Sequence, residues 1–144
     1  MTAGLPPILT AEDEESDAYI LRLAFERAEI GNPVTFVGDG QKVVDYLTGL
    51  APYADRVAHP LPGLITLDLK MPRMNGFDVL GWLRARGDFR HLPAVVISSS
   101  SEAADIRKAR SLGARDYFVK PHRLEDFVEI VRTLQERWLA PGRH

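Results

Sequence analysis

Four short apolar runs in this chain each end in a polar residue, and this recurrence constrains the fold more than any other feature. In the clearest run, Leu64-Ile65-Thr66-Leu67-Asp68-Leu69-Lys70-Met71-Pro72, the apolar residues stop at one carboxylate, and Pro72 and Gly76 then break the backbone. Three other runs end in the same way: Ile8–Ala11 before Glu12 and Asp13, residues 94–97 before Ser98, and residues 117–119 before Lys120. Because ligands of open parallel sheets bind at the carboxyl ends of the strands, the pattern predicts one polar crevice.

Segments with helical spacing separate these runs. We predict five strands: Ile8–Ala11, Val34–Val37, residues 64–68, Ala94–Ser98 and residues 115–119. The strongest helical pattern follows the last strand, where apolar residues recur at i, i+3, i+4 and i+7: Leu124, Phe127, Val128, Val131, Leu134 and Trp138. Five strands alternating with five helices predict an α/β fold, a doubly wound five-stranded parallel sheet with helices on both faces.

The segments between these elements carry turn and capping signals. Ser16 or Asp17 is expected to cap the first helix. Ser99 and Glu102 have the spacing of a capping box before the fourth helix. The loop at residues 53–62 is longer than a typical connection, so it is either functional or simply tolerated.

Composition excludes several classes of protein. The chain has 144 residues, the size of one domain, and only one helix fits after Lys120, so no output domain is expected. A net charge of −2 without a basic stripe disfavours nucleic-acid binding. The absence of cysteine excludes disulfides and thiolate metal sites. No membrane span or secretory signal is visible, so we expect a cytoplasmic protein.

The strand ends predict a phosphoryl-transfer site. Glu12, Asp13 and Asp68 would meet in one crevice, where their repulsion is relieved by protons or by a hard divalent cation. Oxygen ligands in a partly wet cleft favour Mg²⁺. Asp68 could then act as a nucleophile and form an acyl phosphate. Lys120 would supply positive charge to the phosphoryl oxygens, and Ser98 a hydroxyl donor.

These residues resemble the receiver domain of two-component response regulators, a flavodoxin-like fold also called CheY-like. The motifs that carry the resemblance span nearly the whole chain: the pair Glu12-Asp13, Asp68 with Met71-Pro72 and Asn75-Gly76 behind it, Ser98, Tyr117, and Lys120-Pro121. The resemblance implies the strand order 2-1-3-4-5 and a phosphoryl group accepted on Asp68 from a sensor histidine kinase. It also implies Mg²⁺ held by Asp13, Asp68 and the backbone carbonyl of Lys70, with Glu12 acting through water.

The resemblance further implies a mode of signalling. The chain would be a single receiver domain over residues 1–144, with a core at about 6–138, that catalyses only its own phosphorylation and dephosphorylation. Asp68, Lys120 and Ser98 would be its catalytic residues. Ser98 and Tyr117 would form a switch that alters contacts with a protein target, which the sequence does not identify. A cis peptide bond between Lys120 and Pro121 is also implied.

Finer features resemble a narrower group, the single-domain response regulators of bacterial phytochromes. These features are the long loop before the third strand and the ending Phe127…Val131…Trp138-Leu139-Ala140-Pro141. They imply a bacteriophytochrome as the kinase. Since large apolar groups at a surface often mark interfaces, we also expect a homodimer through the fifth helix and the C-terminal segment.

Two other readings of the site residues stay open. Phosphatases with an Asp nucleophile occur on similar folds, but they usually carry a second Asp two residues further on, where this chain has Lys70. A degenerate receiver that only binds a partner is disfavoured by the complete set Glu12, Asp13, Asp68, Ser98 and Lys120. Tyr117 could also be an ordinary strand aromatic.

Overall fold

A sheet of five parallel strands forms the centre of the protein in a computed structural model, which describes residues 4–139. The strands are β1 (Ile8–Ala11), β2 (Val34–Val37), β3 (Leu64–Leu67), β4 (Ala94–Ser98) and β5 (Asp116–Val119). They lie in the order β2-β1-β3-β4-β5. The predicted doubly wound α/β sheet and its strand order are therefore confirmed, and each predicted strand matches to within one residue.

Five α-helices connect the strands and cover both faces of the sheet. They are α1 (Glu15–Arg27), α2 (Gly40–Thr48), α3 (Gly76–Ala85), α4 (Ala103–Ser111) and α5 (Leu124–Leu134), and α5 continues into a short π-helix at Gln135–Leu139. Helices α1 and α5 pack on one face, and α2, α3 and α4 pack on the other. In the part of the chain that the structure describes, none of these helices is both long and apolar enough to cross a membrane.

The three central strands are buried along their whole length. Ile8 faces the α1–α5 side of the sheet and Leu9 faces the opposite side. Parallel strands that are covered on both faces have continuous apolar sequences. This is why the strands could be recognised in the sequence. Leu67 pairs with Ala11 on β1 and with Val96 on β4, so the residues that follow these strands leave the sheet at one edge.

The two predicted helix caps are wrong. α1 begins at Glu15, with Glu14 in the capping position and no side-chain cap, so Asp17 lies inside the helix. α4 is preceded by Glu102, again without a side-chain cap. In both places, hydrogen bonds other than the predicted cap are formed. The Asp17 carboxylate binds the Lys120 ammonium, and the Ser100 hydroxyl accepts from the Glu102 N–H and donates to Asp105.

The long connection between α2 and β3 is an ordered loop. Arg56 donates hydrogen bonds to the backbone carbonyls of Tyr46, Leu47 and His59. These contacts tie the loop to the end of α2, which is the end of the sheet opposite the carboxylates. The loop contains the cis peptide bond Ala51–Pro52. The Lys120–Pro121 bond is trans, the ordinary isomer, so the expectation of a cis bond there is wrong.

Candidate functional site

Three carboxylates meet at the carboxyl end of the sheet. Glu12 follows β1, Asp13 comes next, and Asp68 follows β3. One oxygen of each lies within 4.8 Å of the oxygens of the other two. Glu12 and Asp68 are buried, at 7% and 6% exposure, whereas Asp13 is exposed to solvent. The structure therefore brings together the three acidic residues that the sequence analysis singled out.

Lys120 lies among these carboxylates. Its Nζ is 2.8 Å from Glu12 Oε1, 2.8 Å from Asp68 Oδ2 and 2.7 Å from Asp17 Oδ2. Since an ammonium group has three donors, every one of them has an anionic partner. The backbone N–H of Lys120 also donates to the Ser98 carbonyl at 2.8 Å, which fixes the lysine just beyond the last pairing of β4 with β5.

Burial and ion pairing shift the pKa values of Glu12 and Lys120 in opposite directions. Burial raises the pKa of Glu12 to about 7, although hydrogen bonds from Lys120 and from the Glu14 N–H partly oppose the shift. Burial alone would lower the pKa of Lys120, but its hydrogen bonds to Asp17, Asp68 and Glu12 outweigh burial and raise it. Lys120 therefore stays charged, while Glu12 takes up or releases a proton near neutral pH.

The donor set fits a hard divalent cation. Glu12, Asp13 and Asp68 offer converging carboxylate oxygens, which are the ligands that Mg²⁺ and Mn²⁺ prefer. Asp13 is open to solvent, so an ion bound there could keep several waters. Lys120 offsets only part of the negative charge, and the remaining repulsion favours cation binding. The Lys70 N–H lies 3.4 Å from Asp68 Oδ1, and the metal-binding role of the Lys70 carbonyl stays a prediction.

The start of α3 packs directly on the backbone of Asp68. The Gly76 N–H donates to the Leu69 carbonyl at 3.0 Å, and a Cβ at position 76 would collide with the Asp68 carbonyl oxygen. Asn75 and Asp78 form a capping box that fixes the first turn of α3. The Asn75-Gly76 pair therefore supports the loop that presents Asp68.

Ser98 and Tyr117 lie on the other side of the site, around the loop after β4. Ser98 is buried, at 1% exposure, and its Oγ accepts a hydrogen bond from the Ser100 N–H at 3.3 Å. The Tyr117 hydroxyl donates to the Ser100 carbonyl at 2.8 Å. The same loop therefore contacts both predicted switch residues, although neither has a hydrogen bond to Asp68 within the described residues.

A pocket of about 640 Å³ opens beside the carboxylates, and Asp13 forms part of its lining. Its lining combines the loop after β3 with the starts of α3 and α4: Asp13, Leu69, Lys70, Met71, Pro72, Asn75, Phe77, Ser100 and Asp105. Lys70 is exposed at this entrance, in the place where an Asp-nucleophile phosphatase usually has its second Asp. The pocket thus has no carboxylic acid at that position.

Asp17 is the site residue that sequence reasoning missed, because it was assigned to a helix cap. It lies on the same face of α1 as Leu21 and Ala24, at i, i+4 and i+7, and both of those residues are buried. A carboxylate that continues an apolar helix face toward the carboxyl end of a sheet is the signal that could have identified it.

The C-terminal segment was expected to present large apolar groups at the surface, but Trp138 packs against its own chain. Its indole N–H donates to Asp116 Oδ2 at 3.1 Å, and Arg137 binds the same carboxylate at 2.9 Å. The ring packs, partly buried, on the α1–α5 side of the sheet. Trp138 therefore contributes to the fold of its own chain, while Ala140 and Pro141 lie outside the described residues.

Comparison with known proteins places this site in a family. A family model described as the response regulator receiver domain matches residues 8–132. Response regulator RPA3017, in red light signalling of R. palustris, is 40% identical with a TM-score of 0.89, and the match covers 96% of each chain. The phosphorylated cyanobacterial phytochrome response regulator RcpA is 28% identical with a TM-score of 0.86, covering 96% of this chain and 97% of that one.

A third relative has been solved with a metal. Response regulator Rcp1 of Synechocystis sp. is 27% identical over 136 residues, which are 93% of this chain and 90% of Rcp1. The structure of its Mn²⁺-bound form has a TM-score of 0.82 at 26% identity and covers 94% of this chain and 96% of that one. The similarity to all three proteins therefore extends over nearly the full length.

Proposed function

The chain belongs to the response regulator receiver domain family, and from that premise we propose that Asp68 accepts a phosphoryl group from the phosphohistidine of a sensor histidine kinase. The observation that carries the proposal is the buried Asp68 carboxylate, held 2.8 Å from the Lys120 ammonium beside Glu12 and Asp13. A carboxylate in such a setting can form an acyl phosphate. The similarity to a phosphorylated phytochrome response regulator supports the assignment.

In the proposed step an oxygen of Asp68 attacks the phosphorus atom in line with the donor. The new O–P bond forms as the bond between phosphorus and the imidazole nitrogen breaks, and that nitrogen keeps the electron pair. Phosphoryl transfer depends mainly on positioning and charge neutralisation. Lys120 supplies both, because its ammonium already lies against Asp68, where the phosphoryl oxygens would arrive.

We propose Mg²⁺ as the cofactor, held by Asp13, Asp68 and the Lys70 carbonyl, with Glu12 acting through water. When bound, the ion supplies additional positive charge to the phosphoryl oxygens. Receiver domains bind divalent metal, and both the Mn²⁺-bound form of Rcp1 and the acidic group of this chain support the proposal. Ionised Glu12 attracts the hydrated ion more strongly than neutral Glu12 does, so its raised pKa makes metal binding stronger as the pH rises through neutrality.

The proposed output is a change at the face formed by α4, β5 and α5. Ser98 turns its hydroxyl toward the phosphoryl group, which withdraws its Oγ from the Ser100 N–H. Tyr117, held to the Ser100 carbonyl, responds to the movement of that loop. The described residues form a receiver fold, so we propose that the signal passes to a target by protein contact.

We propose a bacteriophytochrome as the kinase, because the similar structures include regulators of red-light and phytochrome signalling. Phosphotransfer from purified sensor kinases of the same organism tests this assignment. A phytochrome kinase should label the protein much faster than the other kinases do. Preferential labelling by an unrelated kinase would contradict it.

We also propose a homodimer through α5 and its continuation, related by a two-fold axis. β5 is an edge strand of the sheet, and Val119 at its end is 43% exposed, which leaves an apolar group on the edge of the sheet that β5 forms. Light scattering on wild type and Val119→Lys tests the dimer without disturbing Trp138. A wild-type monomer at tens of micromolar, phosphorylated or not, would refute it.

The experiment that tests the main proposal is phosphorylation by acetyl phosphate with excess Mg²⁺, measured by intact mass. Wild type should gain one phosphoryl group, whereas Asp68→Asn should gain none. Asp88→Asn, which removes an exposed carboxylate away from the site, serves as the control and should label normally. Equal labelling of Asp68→Asn and wild type would exclude Asp68 as the acceptor.

A further inference from the structure

Lys120 has a partner that is neither the proposed phospho-acceptor nor a member of the proposed metal group. Asp17 Oδ2 lies 2.7 Å from Nζ, the shortest of the three carboxylate contacts. Asp17 belongs to the first turn of α1, and its side chain is 33% exposed. The group of converging acids contains Glu12, Asp13 and Asp68 but not Asp17. Asp17 therefore binds the lysine from outside the reacting centre.

The three partners of Lys120 change differently during the proposed reaction. When the O–P bond forms, Asp68 becomes a neutral acyl group, and the negative charge next to Lys120 is then carried by the oxygens of the transferred phosphoryl group. Glu12 belongs to the group proposed to hold the cation, so its charge is shared. Asp17 is not a member of the cation group and forms or breaks no bond in the proposed step, so it keeps its full charge.

We propose that Asp17 is a positioning residue, which holds the Lys120 ammonium at the acceptor while one of its hydrogen bonds passes from Asp68 to the phosphoryl group. This inference rests on the proposed transfer to Asp68. Lysine has a flexible four-carbon stem, so a lysine oriented only by the reacting groups would lose its orientation as they react. A fixed third contact keeps the ammonium in place. The side-chain entropy of the lysine is then lost during folding and not during the reaction.

The packing of α1 makes Asp17 suitable for this role. Leu21 and Ala24, on the same helix face, are buried at 4% and 0% exposure. They pack with Phe127 and Val131 of α5, the helix that begins shortly after Lys120. The packed pair α1–α5 therefore sets the distance between Asp17 and Lys120.

The first test observes the lysine itself in metal-free, unphosphorylated protein. NMR of the side-chain ammonium groups should show a slowly exchanging Lys120 signal in wild type, assigned by its loss in Lys120→Arg. Asp17→Ala should broaden or remove that signal, and Asp17→Glu should retain it. Glu15→Ala removes an equal charge from the same turn of α1 but leaves the ion pair intact, so it should retain the signal. An unchanged signal in Asp17→Ala would overturn the proposal.

The second test measures the rate of labelling by acetyl phosphate with saturating Mg²⁺. Asp17→Ala should be labelled roughly five-fold more slowly than wild type, the size expected for losing a partly exposed charged hydrogen bond. Asp17→Glu and Glu15→Ala should stay within about two-fold of wild type. Glu15→Ala and Asp17→Ala each remove one negative charge from α1, so both weaken the electrostatic repulsion of acetyl phosphate. Comparing the two variants therefore separates this effect from the loss of the ion pair.

The two proposals fail in different ways. If wild type is not labelled, the function proposed for Asp68 is wrong, whatever the lysine signal shows. If wild type is labelled and Asp17→Ala matches Glu15→Ala, only the role of Asp17 is refuted. A slow Asp17→Ala that Asp17→Glu does not restore would also refute it, because positioning by a carboxylate should survive one added methylene.

Discussion

The raised pKa of Glu12 leads to a measurable prediction about the metal-free protein. A carboxyl group whose pKa rises from 4.5 to about 7 on folding binds more protons in the folded state across that interval. Its contribution to stability is therefore complete below pH 4.5 and is lost as the pH rises toward 7. At about 1.4 kcal/mol per pH unit, the loss between pH 5 and pH 8 is about 2.5 kcal/mol of unfolding free energy.

Glu12→Gln should remove this dependence on pH. Glutamine has one acceptor oxygen, whereas Glu12 accepts from both Lys120 and the Glu14 N–H, so the variant carries a pH-independent penalty of about 1 kcal/mol. The informative quantity is therefore how the difference between variant and wild type changes with pH. From pH 5 to pH 8 the variant should gain about 2.5 kcal/mol relative to wild type.

Urea denaturation in EDTA at several pH values between 5 and 8 measures this change. Glu14→Gln, which alters an exposed neighbouring carboxyl, should show no such gain. A stability difference between Glu12→Gln and wild type that stays constant across this range would refute the reasoning. Excess Mg²⁺ should reduce the gain, because the ion stabilises wild type most at high pH, where Glu12 is ionised.

Three further perturbations test the site. Lys120→Ala should fold but take up phosphate from acetyl phosphate roughly ten-fold more slowly or worse, and a wild-type rate would contradict its role. Asp13→Ala should bind Mg²⁺ or Mn²⁺ roughly ten-fold more weakly in calorimetry, and an unchanged affinity would exclude the acidic group as the metal site. Gly76→Ala should lower the urea-derived unfolding free energy by about 2 kcal/mol, because its Cβ would meet the Asp68 carbonyl oxygen. Gly81→Ala, in the same helix with open space around it, should be neutral or stabilising, and equal losses in the two variants would refute the close-contact argument.

Side-chain partners far apart in sequence could not be read from local patterns. Asp17 was predicted as a cap because Asp caps helices well, yet its carboxylate binds Lys120, 103 residues away. The C-terminal segment with Trp138 was expected to present large apolar groups at the surface, yet Asp116 accepts a hydrogen bond from the Trp138 indole and the ring packs partly buried against the core. In each case a charged group distant in the sequence decides where the side chain lies.

The sequence by itself determined the sheet and the place of the chemistry. Buried parallel strands require continuous apolar runs, and the carboxyl ends of such strands share one edge, so Glu12, Asp68, Ser98 and Lys120 could be assigned to one crevice. Only the tertiary structure decided how the charges in that crevice pair. Ion pairing depends on distances of a few ångströms between side chains on different elements, and those distances are set by how α1 packs on α5 and how α3 packs on the Asp68 loop.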